Sequence, residues 1–141
     1  MATMNVSIVT PERVAYESDD VEIINVRTID GNRGIMPNHE PLITGLNIGI
    51  IRVKDGSGED IFSATQGYME VKPDEVTVLV GSAEHSEEID VDRALAAKEE
   101  AEERLEKKHE DHIDERQAEI ALEKALNRLQ ASKHHDFDQF E

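Results

Sequence analysis

The 141-residue chain has no cysteine and no tryptophan, and only three Phe and two Tyr. Without cysteine there is no disulfide framework and no thiolate metal site. No apolar run approaches the roughly 20 residues that span a bilayer. The start, Met1-Ala2-Thr3-Met4-Asn5, lacks the basic flank and long apolar stretch of a secretory signal. A soluble chain of a reducing compartment is expected, with no direct membrane insertion. Basic residues are scarce as well: 15 Lys and Arg stand against 32 acids, for a formal net charge of -17. Such a surface repels nucleic acid and anionic lipid, whose binding relies on Lys and Arg. A basic protein partner is its natural complement, and solubility alone is the plainer reading.

Glycine and proline are absent from the last 60 residues; all eight Gly and all four Pro lie at or before Gly81. Of the 30 Val, Ile and Thr residues, 27 lie at or before Ile89, and runs of Ala, Glu, Lys, Arg and Leu follow. Gly and Pro punctuate turns, β-branched residues favour strands, and Ala, Leu, Glu and Lys favour helices. The chain therefore reads as an all-β sandwich over residues 1–88, a helical hairpin over 89–133 and a frayed tail over 134–141. Val6 and Ile8 share one face of a first strand, and Val21 to Val26 form a second. Ile48 to Val53 and Ile61 to Thr65 flank a hairpin loop at Lys54–Gly58. Tyr68 to Val71 turns through Pro73-Asp74 into Val76 to Val80. With no helical pattern between strands, antiparallel pairing is expected.

Asp90 is a good N-cap for the first helix. Ala94, Ala97, Ala101 and Leu105 then recur at spacings of three and four and form one stripe. The pattern loosens over His109-Glu110-Asp111-His112. Asp114 starts a second helix, with Gln117 three residues on and Ile113 at the staple position. Ala118, Leu122, Ala125 and Leu129 form the second stripe. Facing alanines bring two backbones close but bury little area, so the hairpin should be weakly held.

No nucleophile elbow, P-loop or dinucleotide fingerprint is present. Pairs such as Asp19-Asp20, Glu87-Glu88 and Glu99-Glu100 carry little information among so many acids; they read as solvated surface. His109 with His112, and His134-His135, have zinc-ligand chemistry but no fixed geometry, and no metal is expected. His39 sits in a loop stiffened by Pro37 and Pro41, with Asn38 suited to a left-handed backbone. That loop presents Met36 and His39 either for docking or for local backbone bonding. Asp90, Arg93 and Ala94 outline an anion site at a helix start, but Asp90 is first of all a cap.

Taken together, Gly34-Ile35-Met36-Pro37-Asn38-His39-Glu40-Pro41-Leu42, Gly67-Tyr68-Met69-Glu70-Val71, Ile89-Asp90-Val91-Asp92-Arg93-Ala94 and Ala125-Leu126-Asn127-Arg128-Leu129 resemble the epsilon subunits of F-type ATP synthases. The resemblance runs in order from about Asn5 to Leu129. It implies a β-sandwich of about ten strands carrying a helical hairpin. It also implies a non-catalytic central-stalk subunit that couples proton flow to ATP synthesis and restrains ATP hydrolysis through its helices. The implied partners are the gamma subunit, the ring of c subunits, and the catalytic alpha and beta subunits when the arm extends. The implied place is the cytoplasmic face of a bacterial inner membrane, peripherally. No cofactor is required; ATP is a regulatory ligand in some members. By the same resemblance Glu84, Asp90, Arg93, Ala94, Lys124 and Arg128 fall at ATP-contacting positions. Lys124 replaces an arginine there, and Glu100 reverses a charge near the phosphates. Asn32, Arg33, Met36 and His39 fall at rotor contacts. A stand-alone ATP-sensing module and an enzyme with a carboxylate site in the sandwich are the alternatives.

Overall fold

A computed structural model describes residues 2–107, 109–110 and 113–140, with side chains to Ser132. Nine strands come first: β1 Met4–Val9, β2 Val14–Thr28, β3 Gly31–Ile35, β4 Leu42–Leu46, β5 Gly49–Asp55, β6 Gly58–Ala64, β7 Gly67–Val71, β8 Glu75–Val80 and β9 Ala83–His85. Two helices follow, α1 Val91–Glu106 and α2 Glu115–Phe140. The helix assignment of α2 thus covers most of the positions read as a tail. Its side chains from 133 on lie outside the described residues.

The sheet runs β1-β8-β7-β4-β2-β5-β6-β9, with β3 on β2 and an extra β1–β2 pairing. The order β1, β8, β7, β4, β2 and back to β1 closes on itself. A closed circuit leaves fewer unpaired edges. One sequence expectation is corrected here. β1 and β8 pair in parallel, Val6 with Val76 and Ile8 with Val78. The antiparallel rule concerns strands joined by short turns, and these two are separated by most of the sandwich. The strand count is nine because β2 is one continuous 15-residue strand. Its first half pairs with β1 and its second with β3 and β5.

Alternation decides which side chains fill the centre. Met4, Val6 and Ile8 point inward from β1, and Val76, Val78 and Val80 from β8. Phe62, Ile24, Ile35, Ile51 and Met69 complete a core with no residue from either helix. Phe62 carries Tyr16 and His85 edge-on, with ring centroids 5.9 and 5.2 Å away.

Both helix starts form as read. The Asp90 carboxylate accepts from the Arg93 N–H at 3.1 Å, and that of Asp114 from the Gln117 N–H at 3.2 Å. Ala94, Ala101, Ala118 and Ala125 are buried along the hairpin. Leu105, Leu122 and Leu129 of the two stripes are half-buried, while Leu95 and Leu126 stay 43% and 46% exposed, so the fully buried part of the seam is alanine. Glu100 pairs with Arg104 at 2.7 Å, one turn on.

Candidate functional site

The boundary between sandwich and arm concentrates the functional side chains. β9 lies beside β6, with Glu84 opposite Ser63. α2 crosses this edge and sets Arg128 against Glu84. Arg128 Nη2 donates to Oε2 at 3.1 Å, and Nε lies 2.8 Å from Oε1. That Nε is shielded from solvent and not aligned for a hydrogen bond, so its contact is ionic. One residue earlier, Asn127 Nδ2 donates to the Gly49 carbonyl at 2.9 Å and the Ser63 hydroxyl at 3.0 Å. Glu123, one turn back, lies 3.8 Å from Arg27 of β2. Further on, Ala131 is fully buried against Ile61, Ile89 and Ile50. Among the described residues the arm is thus docked by one small apolar cluster and three polar contacts.

Beside the Glu84–Arg128 pair opens a cleft of about 330 Å3. Ala97, Ala121 and Ala125 make an apolar wall, while Lys124, Arg128 and Glu84 supply charge. An apolar wall next to two cations suits a ligand that is flat at one end and anionic at the other. Of the six positions expected at an ATP site, Glu84, Lys124 and Arg128 meet here. Asp90, Arg93 and Ala94 do not line this cleft. Asp90 caps α1, Arg93 is exposed, and Ala94 is buried.

Asn32 and Arg33, expected at the rotor, lie in β3 and line a broader cleft that also includes Asn127 and Gln130 of α2. Met36 and His39 sit in the loop after β3. Met36 is 60% exposed, and His39 Nδ1 lies 2.6 Å from the Glu40 carbonyl oxygen. Asn38 takes the left-handed backbone, φ 68°, and its N–H donates to Pro73 O at 2.7 Å. The loop is therefore fixed against the β7–β8 turn with Met36 outward. His109 is described, while His112, His134 and His135 lie outside the described side chains.

A surface that the sequence reading missed runs over the outer face of β4, β7 and β8. Tyr68 stands opposite Leu79 on one side and Gly45 on the other. Tyr68, Leu79 and Ile43 are 66%, 51% and 72% exposed. Ile29, 62% exposed, reaches over Gly45: a Cβ there would come within 3.1 Å of its Cγ2. Apolar patches of this kind mark docking surfaces. The available signal was Tyr68 alternating out of phase with the buried Met69 and Val71.

Among the described residues one acid is buried in the sandwich. Asp55, 8% exposed, accepts from the Tyr16 hydroxyl at 2.6 Å and from the Ser57 N–H and hydroxyl at 2.8 and 2.7 Å. The Tyr16 bond, then those from Ser57, hold the Asp55 carboxyl below its ordinary range. Burial, then the bond to Asp55, pushes the Tyr16 phenol above its ordinary value. These bonds close the β5–β6 hairpin and are structural.

Comparison with known proteins gives the chain's family. Residues 3–86 match the family model "ATP synthase, Delta/Epsilon chain, beta-sandwich domain". Residues 87–133 match "ATP synthase, Delta/Epsilon chain, long alpha-helix domain". The chain belongs to the delta/epsilon chain family of ATP synthases. Among its relatives, the ATP synthase epsilon chain of Halalkalibacterium halodurans is 44% identical over 129 residues, 92% of this chain and 96% of that protein. The epsilon chain of Bacillus licheniformis is 44% identical over 133 residues, 94% of this chain and 100% of that protein. A chain of the Euglena gracilis mitochondrial ATP synthase, solved with its c-ring, superposes with a TM-score of 0.78 at 27% identity, covering 95% of this chain and 83% of that one. One from the central stalk and c-ring of the Tetrahymena thermophila enzyme gives 0.57 at 16%, covering 93% and 97%, a likeness of fold alone.

Proposed function

We propose that this chain is the epsilon-type subunit of an F-type ATP synthase rotor, seated on the central stalk against the c-ring. In this role it is non-catalytic: it transmits rotation through the sandwich and restrains ATP hydrolysis through the arm. The observation that carries the reading is the division of labour in the fold. The sandwich core closes without either helix, so the arm can leave without unfolding its mount. The arm is held by the Ala131 cluster, the Glu84–Arg128 pair, Asn127 and the Arg27–Glu123 contact. A docking energy of a few kcal/mol is within reach of a partner that binds the undocked state better.

The Ile43–Tyr68–Leu79 face is the surface for the gamma subunit, with Ile29 at its rim. Met36, His39 and the β2–β3 turn face the c-ring. The undocked arm reaches the alpha and beta subunits with its exposed leucines and its cations. The subunit works peripherally at the cytoplasmic face of a bacterial inner membrane. ATP, bound by Lys124 and Arg128 in the smaller cleft, would hold the arm docked; Asp90, Arg93 and Ala94 support α1 beside it. Inhibition by the arm then falls as ATP rises.

Co-purification tests the stalk assignment. Tagged chain should bring down the gamma subunit at a defined ratio, and Tyr68→Glu with Ile43→Glu should release it while the sandwich stays folded. Recovery of the chain alone, as a stand-alone ATP sensor would behave, refutes the assignment.

A further inference from the structure

The acidic chain keeps only six Lys and Arg within residues 1–90, and three of them converge on one cleft. Arg27, Arg33 and Arg52 line a space of about 740 Å3 between the outer face of the sheet and α2. The register explains the convergence. On β2, Asn25 stands opposite Arg52 of β5, and Arg27 opposite Asn32 of β3. Asn25, Asn32 and Gln130 supply amides, with the Asn127 amide already bonded to Gly49 and Ser63 beside them, and no Asp or Glu lines the cleft, although the chain holds 32 acids.

The guanidinium groups are oriented but not used up. Arg27 Nη1 donates to the Ile48 carbonyl at 3.2 Å, and Arg52 Nε to Glu59 at 2.8 Å. Each guanidinium carries five N–H donors, so both retain free ones. Arg33 has no hydrogen bond or ion pair among the described residues. Arg52 pairs with Glu59 and Arg27 lies 3.8 Å from Glu123, both acids outside the cleft lining, so part of each fork is taken; the remaining guanidinium N–H groups and the amides are a donor set that recognises phosphate oxygens.

We propose that this cleft binds a phosphate-type anion, inorganic or the phosphate end of a nucleotide, separately from the Glu84–Arg128 cleft. It rests on the regulatory reading above only for its consequence. Gln130 belongs to the arm and the arginines to the sandwich, so an anion held by both bridges the two and favours the docked arm. Salt screens the attraction between the arginines and the anion, so binding weakens as salt rises.

The test titrates the full-length chain with inorganic pyrophosphate, following the side-chain amide signals of Asn25, Asn32 and Gln130 by NMR. The expected result is saturable shifts at these amides, lost at high salt. Arg33→Gln with Arg52→Gln, one exposed and one half-buried position, weakens binding about tenfold. Arg27 stays untouched because its stem lies against Gly49, where a Cβ would come within 2.7 Å of the Arg27 Cβ. Shifts that do not saturate, shifts only elsewhere, or equal affinity in the double variant overturn the proposal. ATP titrated into the same variant distinguishes the sources. Undiminished ATP affinity assigns the nucleotide to the Glu84 cleft and the inorganic anion here; a parallel loss assigns both to this cleft. The two readings therefore fail separately.

Discussion

Arg128 on α2 and Glu84 on β9 are 44 residues apart in sequence, yet they form a two-point ion pair at 2.8 and 3.1 Å. Their side chains are 24% and 33% exposed, so water screens the pair less than it would a surface contact. Glu84→Gln keeps the shape and removes the charge. It should raise the undocked fraction of the arm about tenfold. Energy transfer between dyes on the sandwich and on α2 measures that fraction; an unchanged signal refutes the latch.

Asn127 makes a different prediction, because its partners are a carbonyl and a hydroxyl rather than a charge. Asn127→Ala leaves Gly49 O and Ser63 Oγ without their donor. The expected cost is about 1–2 kcal/mol of docking. Unlike the loss in Glu84→Gln, it should hardly change between low and high salt. Repeating the energy-transfer measurement at two ionic strengths separates the two contacts.

Ala131 has no room to grow, being fully buried between α2 and the Ile61–Ile89 cluster. Ala131→Leu should loosen the arm by about 1–3 kcal/mol through overpacking. The sandwich should keep its own unfolding midpoint, which denaturant titration followed by the fluorescence of Tyr16 and Tyr68, both in the sandwich, reports.

The Tyr16–Asp55 bond fixes the pH window of the sandwich. The Asp55 pKa is lowered on folding. Its contribution is fully present above the unfolded value of about 3.9 and is lost as pH falls through the lower folded value. The Tyr16 pKa is raised. Its contribution is fully present below about 10 and is lost as pH climbs through the folded value. Tyr16→Phe should lower stability by about 1–2 kcal/mol at neutral pH and flatten the alkaline limb. Urea midpoints across the pH range check both signs.

Much of this was legible because the signals are local. The disappearance of Gly and Pro after Gly81 marks the end of the sandwich, and Asp90 and Asp114 mark helix starts by side chains that bond three residues ahead. The alanine stripes follow from helical spacing. What escaped is long-range. Nothing near β1 announces a parallel partner some 70 residues away. Asp19-Asp20 faces water as its reading as solvated surface implied, but that it lies inside the continuous β2 was not visible. Asn127, a poor mid-helix residue, was quoted only as part of a motif, although its place between buried Ala125 and Ala131 hinted at a partner. The resemblance supplied Glu84 and Arg128 as separate ligand positions; their pairing needed the fold. The arginine cleft needed it too, since β2, β3, β5 and α2 contribute from positions 25 to 130.

The most direct test of an inhibitory arm is ATP hydrolysis by the catalytic complex, reconstituted with the full chain or with a version ending at Glu88. The core that survives in the shorter version contains no helix residue, so it should still bind the gamma subunit. Faster hydrolysis with the short version is the predicted result. Equal rates, with both versions bound in equal amounts, would contradict an inhibitory arm.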